Sequence, residues 1–417
     1  MAEVTFPQLI QRACGIDVHL KVVVATIDGA GIQRETRSFK TFTSSLNELK
    51  EWLLSNGVTH VGMESTGVYW KPVYKVLEDS IPNVWIVNAR HIKNVPGHKT
   101  DKMDSEWICK LLLAGLLKPS YIPPKEQRQL RDLTRYRNKL IQQIASEKNR
   151  MMRILEDCNI KLSSVVSNTS GTTATSLIDM LCEGKVLTLD DINSVYHGKL
   201  SASPEELLEA CTGFVEEHHI YLLQMIRKDI DQTQTLVDDL SERIKRLLSK
   251  YENVLELLRE IPGFSTKVVE DLVSEIGLDM SHFPSEKHLS SWAGLSPGNN
   301  ESAGKKKAHE HSRKQTGKGG NHRSRMGCDP YKEYVFSERY HRIAARRGKK
   351  RALIAVGHSQ LISVYLILST GSRYHELGAQ YMQSKIEQKR KVYLSSELKK
   401  LGYNVSLTKV PQAVTLN

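Results

Sequence analysis

The segment CGIDVHLKVVVATI, residues 14–27, decides which class of fold the N-terminal part of the chain can adopt. It is rich in β-branched residues, so it predicts a strand, or two strands joined by a turn. Asp17 interrupts this otherwise apolar pattern. A charge inside a strand costs several kcal/mol unless it is paired or binds a metal, so Asp17 is a candidate functional residue.

Strand and helix patterns alternate on the C-terminal side of this segment. Short buried-strand patterns cover residues 59–66 and 83–89, and helical patterns cover residues 44–57, 67–79 and 104–117. This order predicts an α/β architecture with a central sheet. Alternation alone allows several topologies and does not identify one fold family.

Long helical periodicity follows the turn KPSYIPPKE. Residues 128–158 and 221–258 carry apolar positions at helical spacing among charges, which predicts two long helices, either an antiparallel pair or an intermolecular coiled coil. The polar stretch between them carries no pattern that indicates a function. In the next region, IPGF at residues 261–264 is either a plain helix turn or a hairpin that presents backbone amides to a phosphate.

Composition favours a polyanionic partner and a reducing compartment. Lys plus Arg number 59 against 47 Asp plus Glu, which gives a formal net charge of +12 and a pI near 9.2. The six cysteines are scattered, without a C-x-x-C pair, so neither a zinc ribbon nor a secreted disulfide scaffold is indicated. The N-terminal residues lack a signal-peptide pattern. We therefore expect a cytoplasmic protein.

An apolar segment at residues 352–369 is nearly long enough to span a membrane. Four residues at its centre, Gly-His-Ser-Gln, would leave polar groups in hydrocarbon without water. We therefore predict a buried helix of a soluble domain and no membrane partner.

Acidic residues recur at the ends of the predicted N-terminal elements. Glu64 ends a strand pattern, and Asp101 and Asp104 lie three residues apart at a helix start, on one face. Acids at a helix N-terminus often have no role beyond stabilising the helix through its dipole. Together with Asp17, however, they supply four carboxylates, a set that suits two divalent ions about 4 Å apart in phosphodiester cleavage.

The order GIDVH, GMESTGVYW, KTDKMDSEWICKLLLAGLL and, far downstream, GLSPGNNESAGKKK resembles the DEDD insertion-sequence transposases, the bridge-RNA-guided serine recombinases. The resemblance covers almost the whole chain. It implies an N-terminal RuvC-like (RNase H-type) α/β domain at 1–122, a long helical coiled-coil middle at 123–250, a mainly α C-terminal transposase domain at 251–380, and a tail at 381–417.

The resemblance also implies the site residues. Asp17, Glu64, Asp101 and Asp104 would bind magnesium, with two ions in the site. Ser302 matches the family's nucleophilic serine, whose hydroxyl attacks a DNA phosphate and forms a transient phosphoserine bond. Read from the residues alone, a serine beside three lysines suits such an attack, but an ordinary loop serine fits as well, and Ser296 is a competing candidate.

Basic residues indicate where nucleic acid binds. Residues 304–351 contain sixteen Lys/Arg against four acids, a bias typical of a polyanion-binding surface. The candidate nucleic-acid-binding residues are Lys99, Lys102, Lys305, Lys306, Lys307, Arg313, Lys314, Lys318, Arg323 and Arg325. A second candidate surface is the basic side of the first long helix, made of Arg128, Arg131, Arg135, Arg137 and Lys139.

The resemblance implies the partners too: DNA at the element ends and target, a non-coding guide RNA, and homodimers that assemble into tetramers. One departure from the family is the segment at 320–352, which is poor in aliphatic residues and broken by Pro330 where close relatives have a helix. Loose positioning of a nucleophile lowers its rate steeply, so we expect weaker support beneath the serine loop and an unaffected acidic site.

Two other functions fit the residues. A RuvC-like nuclease would hydrolyse DNA with water and need no serine. A non-catalytic nucleic-acid-binding protein would use the acids only to balance local charge. Histidines indicate no rival metal enzyme, because His218-His219 and His309-Glu310-His311 lack further ligands in sequence, and we predict that they are surface residues.

Overall fold

The computed structural model describes residues 8–65, 67–88, 101–197, 200–296, 301–302, 305–306 and 334–408. The chain forms two compact units, Met1–Pro123 and Pro124–Asn417. The first is a mixed α/β unit with a five-stranded sheet, and the second is mostly helical. The predicted α/β and helical classes are therefore confirmed.

The first unit alternates strands and helices around one sheet. Its strands are β1 (Arg12–Val18), β2 (Val22–Gly29), β3 (Ile32–Lys40), β4 (His60–Glu64) and β5 (Asn83–Val87). Its helices are α1 (Thr43–Ser55), α2 (Trp70–Leu77) and α3 (Asp101–Leu113). The sheet order is β3-β2-β1-β4-β5, with β1, β2 and β3 antiparallel and β1, β4 and β5 parallel.

Two strands, β1 and β2, account for the segment at 14–27, as the second of the two predicted arrangements requires. Strand β3 was not predicted. Its residues, IQRETRSFK, are mostly exposed and lack an alternating apolar pattern, because β3 is an edge strand held mainly by backbone pairing to β2.

The sheet is covered on both faces. Alternate residues of β1, among them Cys14 and Ile16, pack with α1 and α2 in one apolar cluster. Ala13, on the opposite face, packs with α3 residues such as Ile108 and Leu112 in another. Because side chains alternate along a strand, Asp17 belongs to the face that α3 covers.

The second unit is built on two long helices. Its helices are α4 (Lys125–Asp157), α5 (Leu162–Val165), α6 (Thr172–Cys182), α7 (Leu189–Val195), α8 (Pro204–Ala210), α9 (Glu217–Leu248), α10 (Glu252–Arg259), α11 (Thr266–Ile276), α12 (Glu286–Trp292), α13 (Val335–Arg347), α14 (Lys349–Thr370) and α15 (Gly378–Lys400). Two short strands, β6 (Glu301–Ser302) and β7 (Lys305–Lys306), pair antiparallel.

Helices α4 and α9 are an antiparallel pair, one of the two predicted arrangements. Asp157, at the end of α4, lies 3.4 Å from His219 near the start of α9. Glu126, in the first turn of α4, pairs at 2.6 Å with Lys250, beyond the end of α9. The polar stretch between these helices folds into α5 to α8 and buries its own apolar residues against the pair.

Helix α14 is the one described helix long and apolar enough to cross a membrane by length and composition. Val356, Leu361, Val364 and Ile367 on one side of it pack in the core of the second unit. At its polar centre, the side-chain amide of Gln360 donates a hydrogen bond of 2.8 Å to the carbonyl of Pro262. One side of α14 therefore packs in the core of the second unit, and its polar centre is hydrogen-bonded to the loop before α11.

Candidate active site

Three of the four predicted acids come from three neighbouring elements. Asp17 is the last residue but one of β1, Glu64 ends β4, and Asp104 lies in the first turn of α3. The parallel register pairs Ile16 with Met63, so Asp17 and Glu64 follow at the carboxyl ends of adjacent strands. Both lie on the sheet face that α3 covers.

A close approach of α3 to β1 places Asp104 beside these strands. A Cβ atom at Gly15 would lie 2.1 Å from the carbonyl oxygen of Ser105 and 2.4 Å from the backbone nitrogen of Cys109. Only glycine allows the helix backbone to come this near. The buried hydroxyl of Ser105 also lies 2.8 Å from that of Thr26 in β2.

The electrostatics of Asp17 agree with the placement of the three acids by the strand register and by α3. Burial raises the pKa of the Asp17 carboxyl above its ordinary value, and the charges of Asp104 and Glu64 raise it further. The neighbouring His19 opposes this by lowering the same pKa. Like charges held together in this way cost free energy unless a cation neutralises them.

His19 is a site residue that the sequence analysis did not select. Its Nε2 atom lies 2.8 Å from Oδ2 of Asp17, and its side chain is partly exposed. The available signal was its position two residues after Asp17, since residues i and i+2 share one face of a strand. The imidazole is placed to orient this carboxylate and to stabilise its charge.

These residues fit a hard divalent cation. Carboxylate oxygens are the ligands that magnesium prefers, and mutual repulsion among the acids is the feature that such an ion relieves. The backbone of Asp101 lies at the first residue of α3, one turn before Asp104. The side chains of Asp101 and Lys102 lie outside the described residues, as does all of Lys99.

Ser302 lies in the short β6–β7 pairing. Its register partner is Lys305, and Glu301 pairs with Lys306. The side chains of these residues lie outside the described part of the chain. The part of the segment 320–352 that precedes residue 334 also lies outside the described residues. The same holds for the other predicted basic residues of this region, which are Lys307, Arg313, Lys314, Lys318, Arg323 and Arg325. Ser296 is half-buried.

The basic side of α4 is not a free nucleic-acid surface, so that interpretation is wrong for most of its residues. Arg137 is fully buried and pairs with Glu270 at 2.5 Å and Asp271 at 3.1 Å. Arg131 and Arg135 pair with Glu275 at 3.3 and 2.7 Å. These cations hold α4 to α11. The acidic face of α11 was not predicted to be their partner.

The prediction for His219 is also wrong. This side chain is buried, and its Nδ1 atom accepts a hydrogen bond of 3.2 Å from the backbone N–H of Glu216. Ligand atoms of Glu216, His218 and His219 lie within 4.8 Å of one another, an arrangement that could hold a metal ion. The hydrogen bond is also part of a capping box at the start of α9, so this cluster has an ordinary structural explanation. His309-Glu310-His311 lies outside the described residues.

Comparison with known families agrees with this site. A DEDD transposase model of the IS110 family matches residues 14–160, which include all four acids. A model described as a transposase of the IS116/IS110/IS902 family matches residues 255–325, which include Ser302. No curated protein sequence matches the chain.

The α/β unit is therefore that of a DEDD DNA transposase. Both models describe one insertion-sequence family and together cover slightly more than half of the 417 residues. The chain belongs to the IS110-type transposases. Membership implies DNA as a partner. DEDD transposases usually depend on a metal ion, which agrees with the clustered acids of the first unit.

Proposed function

We propose that this transposase cuts and rejoins DNA by metal-assisted attack of Ser302 on a phosphodiester, guided by a non-coding bridge RNA. The observation that carries the proposal is the convergence of Asp17, Glu64 and Asp104 at one edge of the sheet. Five strands in the order β3-β2-β1-β4-β5 support a RuvC-like assignment of this unit.

Asp17, Glu64, Asp101 and Asp104 would hold two magnesium ions. Bound there, the ions would supply Lewis-acid stabilisation of the developing oxyanions. The protein itself contributes the position of the carboxylates, through the strand ends and the close approach of α3 at Gly15. His19 orients the Asp17 carboxylate and opposes the rise in its pKa.

The second unit would supply the nucleophile. The Ser302 hydroxyl would lose its proton as its oxygen bonds to phosphorus, one bridging P–O bond would break, and the departing oxygen would take up a proton. The resulting phosphoserine keeps the energy of the broken bond for rejoining. Lys305, the register partner of Ser302 in the strand pairing, and Lys306 would contribute positive charge that stabilises the phosphate.

Guide RNA and assembly complete the proposal. Base pairing by the RNA would select donor and target DNA, while the protein's excess of twelve positive charges supports binding of nucleic-acid backbones. Homodimers that associate into tetramers would bring a serine to an acidic site. Functionally, we divide the chain into a catalytic part at 1–122, a helical part at 123–250, a serine-bearing part at 251–380 and a tail at 381–417.

An adduct assay tests the mechanism. The full chain is incubated with labelled element ends, the flanking non-coding RNA and magnesium, and protein-bound label is measured after denaturation. We expect an adduct that Ser302→Ala and Asp104→Asn abolish. Ser296→Ala and Glu106→Gln, matched changes near each site, should retain it.

Other outcomes refute parts of the proposal. Cleavage without an adduct, unchanged in Ser302→Ala, would establish hydrolysis by a RuvC-like nuclease. Magnesium-independent binding without any cleavage would establish a nucleic-acid-binding protein. An adduct that forms equally well without RNA would remove the guide RNA and leave the serine chemistry in place.

A further inference from the structure

Helix α13 and the first turn of α14 carry a dense positive charge. Residues 335–351 contain seven Lys/Arg and a single acid, Glu338. Arg346 and Arg347 are exposed, as is expected of charges at a helix end. Arg339 and Arg342, one turn apart on the same helix, are instead half-buried.

These two half-buried arginines are unpaired within the described part of the chain. The Nε atoms of Arg339 and Arg342 are both buried and have no hydrogen-bond partner there. No described carboxylate lies within 4.0 Å of either guanidinium. The Nε atom of buried Arg137 is likewise unpaired, but its terminal nitrogens pair with two acids. Buried arginines without a partner are unusual, because desolvation of the charge is then uncompensated.

The charges around the pair are mostly of one sign. Burial lowers the pKa of Arg339 and the neighbouring Arg342 lowers it further. The pKa of His358 on α14 is lowered by burial and by Arg339, while Glu286 acts in the opposite direction. Glu376, in the segment that follows α14, accepts hydrogen bonds from the backbone N–H groups of residues 335 and 378 and from a tyrosine hydroxyl.

A cavity of about 370 Å³ adjoins Arg339 between α13, α14 and the segment that follows α14. Its polar lining includes Ser359, Ser363, Arg373 and His375, and apolar side chains form the rest. A phosphate group is small enough to enter such a space. The planar guanidinium is suited to a phosphate, to which it can donate two parallel hydrogen bonds.

We propose that Arg339, which lines this cleft, and Arg342, one turn further along α13, bind backbone phosphates of a nucleic acid. The exposed cations from Arg346 to Arg351 continue from the pair along the chain, which favours a polymer with regularly spaced phosphates over a small phosphorylated molecule. This inference rests on the nucleic-acid partners of the proposed function. It assigns binding to residues outside both the acidic site and the serine loop.

Binding of the full chain is measured in EDTA by fluorescence anisotropy, over a series of KCl concentrations. The probes are a 40-base-pair DNA duplex and an RNA hairpin, which separate the two sources of phosphate. Arg339→Gln/Arg342→Gln is compared with Arg346→Gln/Arg347→Gln, which removes the same charge from exposed positions of the same helix.

We expect the first double variant to lose about tenfold more affinity than the second for at least one probe, with a salt slope lower by about 1. Equal losses in the two variants, for both probes, would overturn the proposal, because the pair would then contribute only net charge. Loss on the duplex alone or the hairpin alone identifies which polymer occupies the cleft.

Thermal unfolding excludes a merely structural role. Removing two neighbouring, unpaired cations should leave the melting temperature unchanged or raised, and inorganic phosphate should raise it in the wild type more than in the variant. If the double variant unfolds, the single change Arg339→Gln, at the arginine that lines the cleft, is used with the same probes, and normal binding by it would also refute the site. Because binding is measured in EDTA, where no cleavage is expected, failure of the catalytic proposal is distinguished from failure of this one.

Discussion

Gly15→Ala is a direct test of how the fold builds the acidic site. An added Cβ would lie 2.1 Å from the carbonyl oxygen of Ser105 and 2.4 Å from the nitrogen of Cys109, both backbone atoms of α3. A tolerable contact begins near 3.0 Å, so α3 must move away from β1 by about 0.9 Å. Asp104 precedes Ser105 and must move with it.

The expected losses follow from this displacement. Overpacking a well-packed interface costs about 1–3 kcal/mol of the free energy of unfolding. A misplacement of about 1 Å at a catalytic group can lower the rate about 100-fold. Both effects should occur together, because one movement of α3 causes them.

Gly62→Ala is the matched control. Gly62 is the register partner of Gly15 on the neighbouring strand and faces the same helix. Its added Cβ would meet only side-chain atoms of Leu112 and Ile108, at 3.2 and 3.3 Å, which can give way. We expect it to cost less than about 1 kcal/mol and to leave activity largely intact.

Urea denaturation in EDTA gives the stability of both variants, and the rate of adduct formation in magnesium gives their activity. If Gly15→Ala matches Gly62→Ala in both measurements, the close approach of α3 is not what brings Asp104 to Asp17. If stability falls and the rate does not, the acid site tolerates the movement, and the argument from position fails.

Asp17→Asn should abolish adduct formation but stabilise the metal-free protein at neutral pH. The folded-state pKa of this carboxyl is raised, so its ionisation destabilises the fold as the pH rises above about 3.9, the ordinary value. The difference in stability from wild type should therefore vanish in acid. Equal stability of the two proteins at pH 7 in EDTA would contradict this prediction. Arg137→Ala should cost about 3–5 kcal/mol, since Glu270 and Asp271 would remain buried without their cation. The Arg135 side chain is 43% exposed, so Arg135→Ala should cost about 1 kcal/mol or less. If the urea midpoint falls more in Arg135→Ala than in Arg137→Ala, the structural role of the buried ion pairs is refuted. Removal of magnesium by EDTA should stop adduct formation while leaving DNA binding, with its steep salt dependence, in place.

Local patterns were sufficient for much of the fold. Apolar periodicity predicted the helices and buried strands of the first unit, and the long helices α4 and α9, because their buried faces repeat along the chain. Asp17 was recognised as a candidate because it interrupts such an apolar pattern. Strand β3 escaped because an edge strand with both faces largely exposed has no such repeat.

The sequence by itself determined the classes of the two units, the four acids and the excess of basic charge. Only the tertiary structure decided which charges serve structure and which remain available for function. Arg137 and Arg339 are both arginines on helices with several basic residues. Arg137 pairs with two carboxylates of α11, whereas Arg339 pairs with none among the described residues. Pairing across more than 100 residues depends on how helices pack, and periodicity along one helix carries no information about its partner.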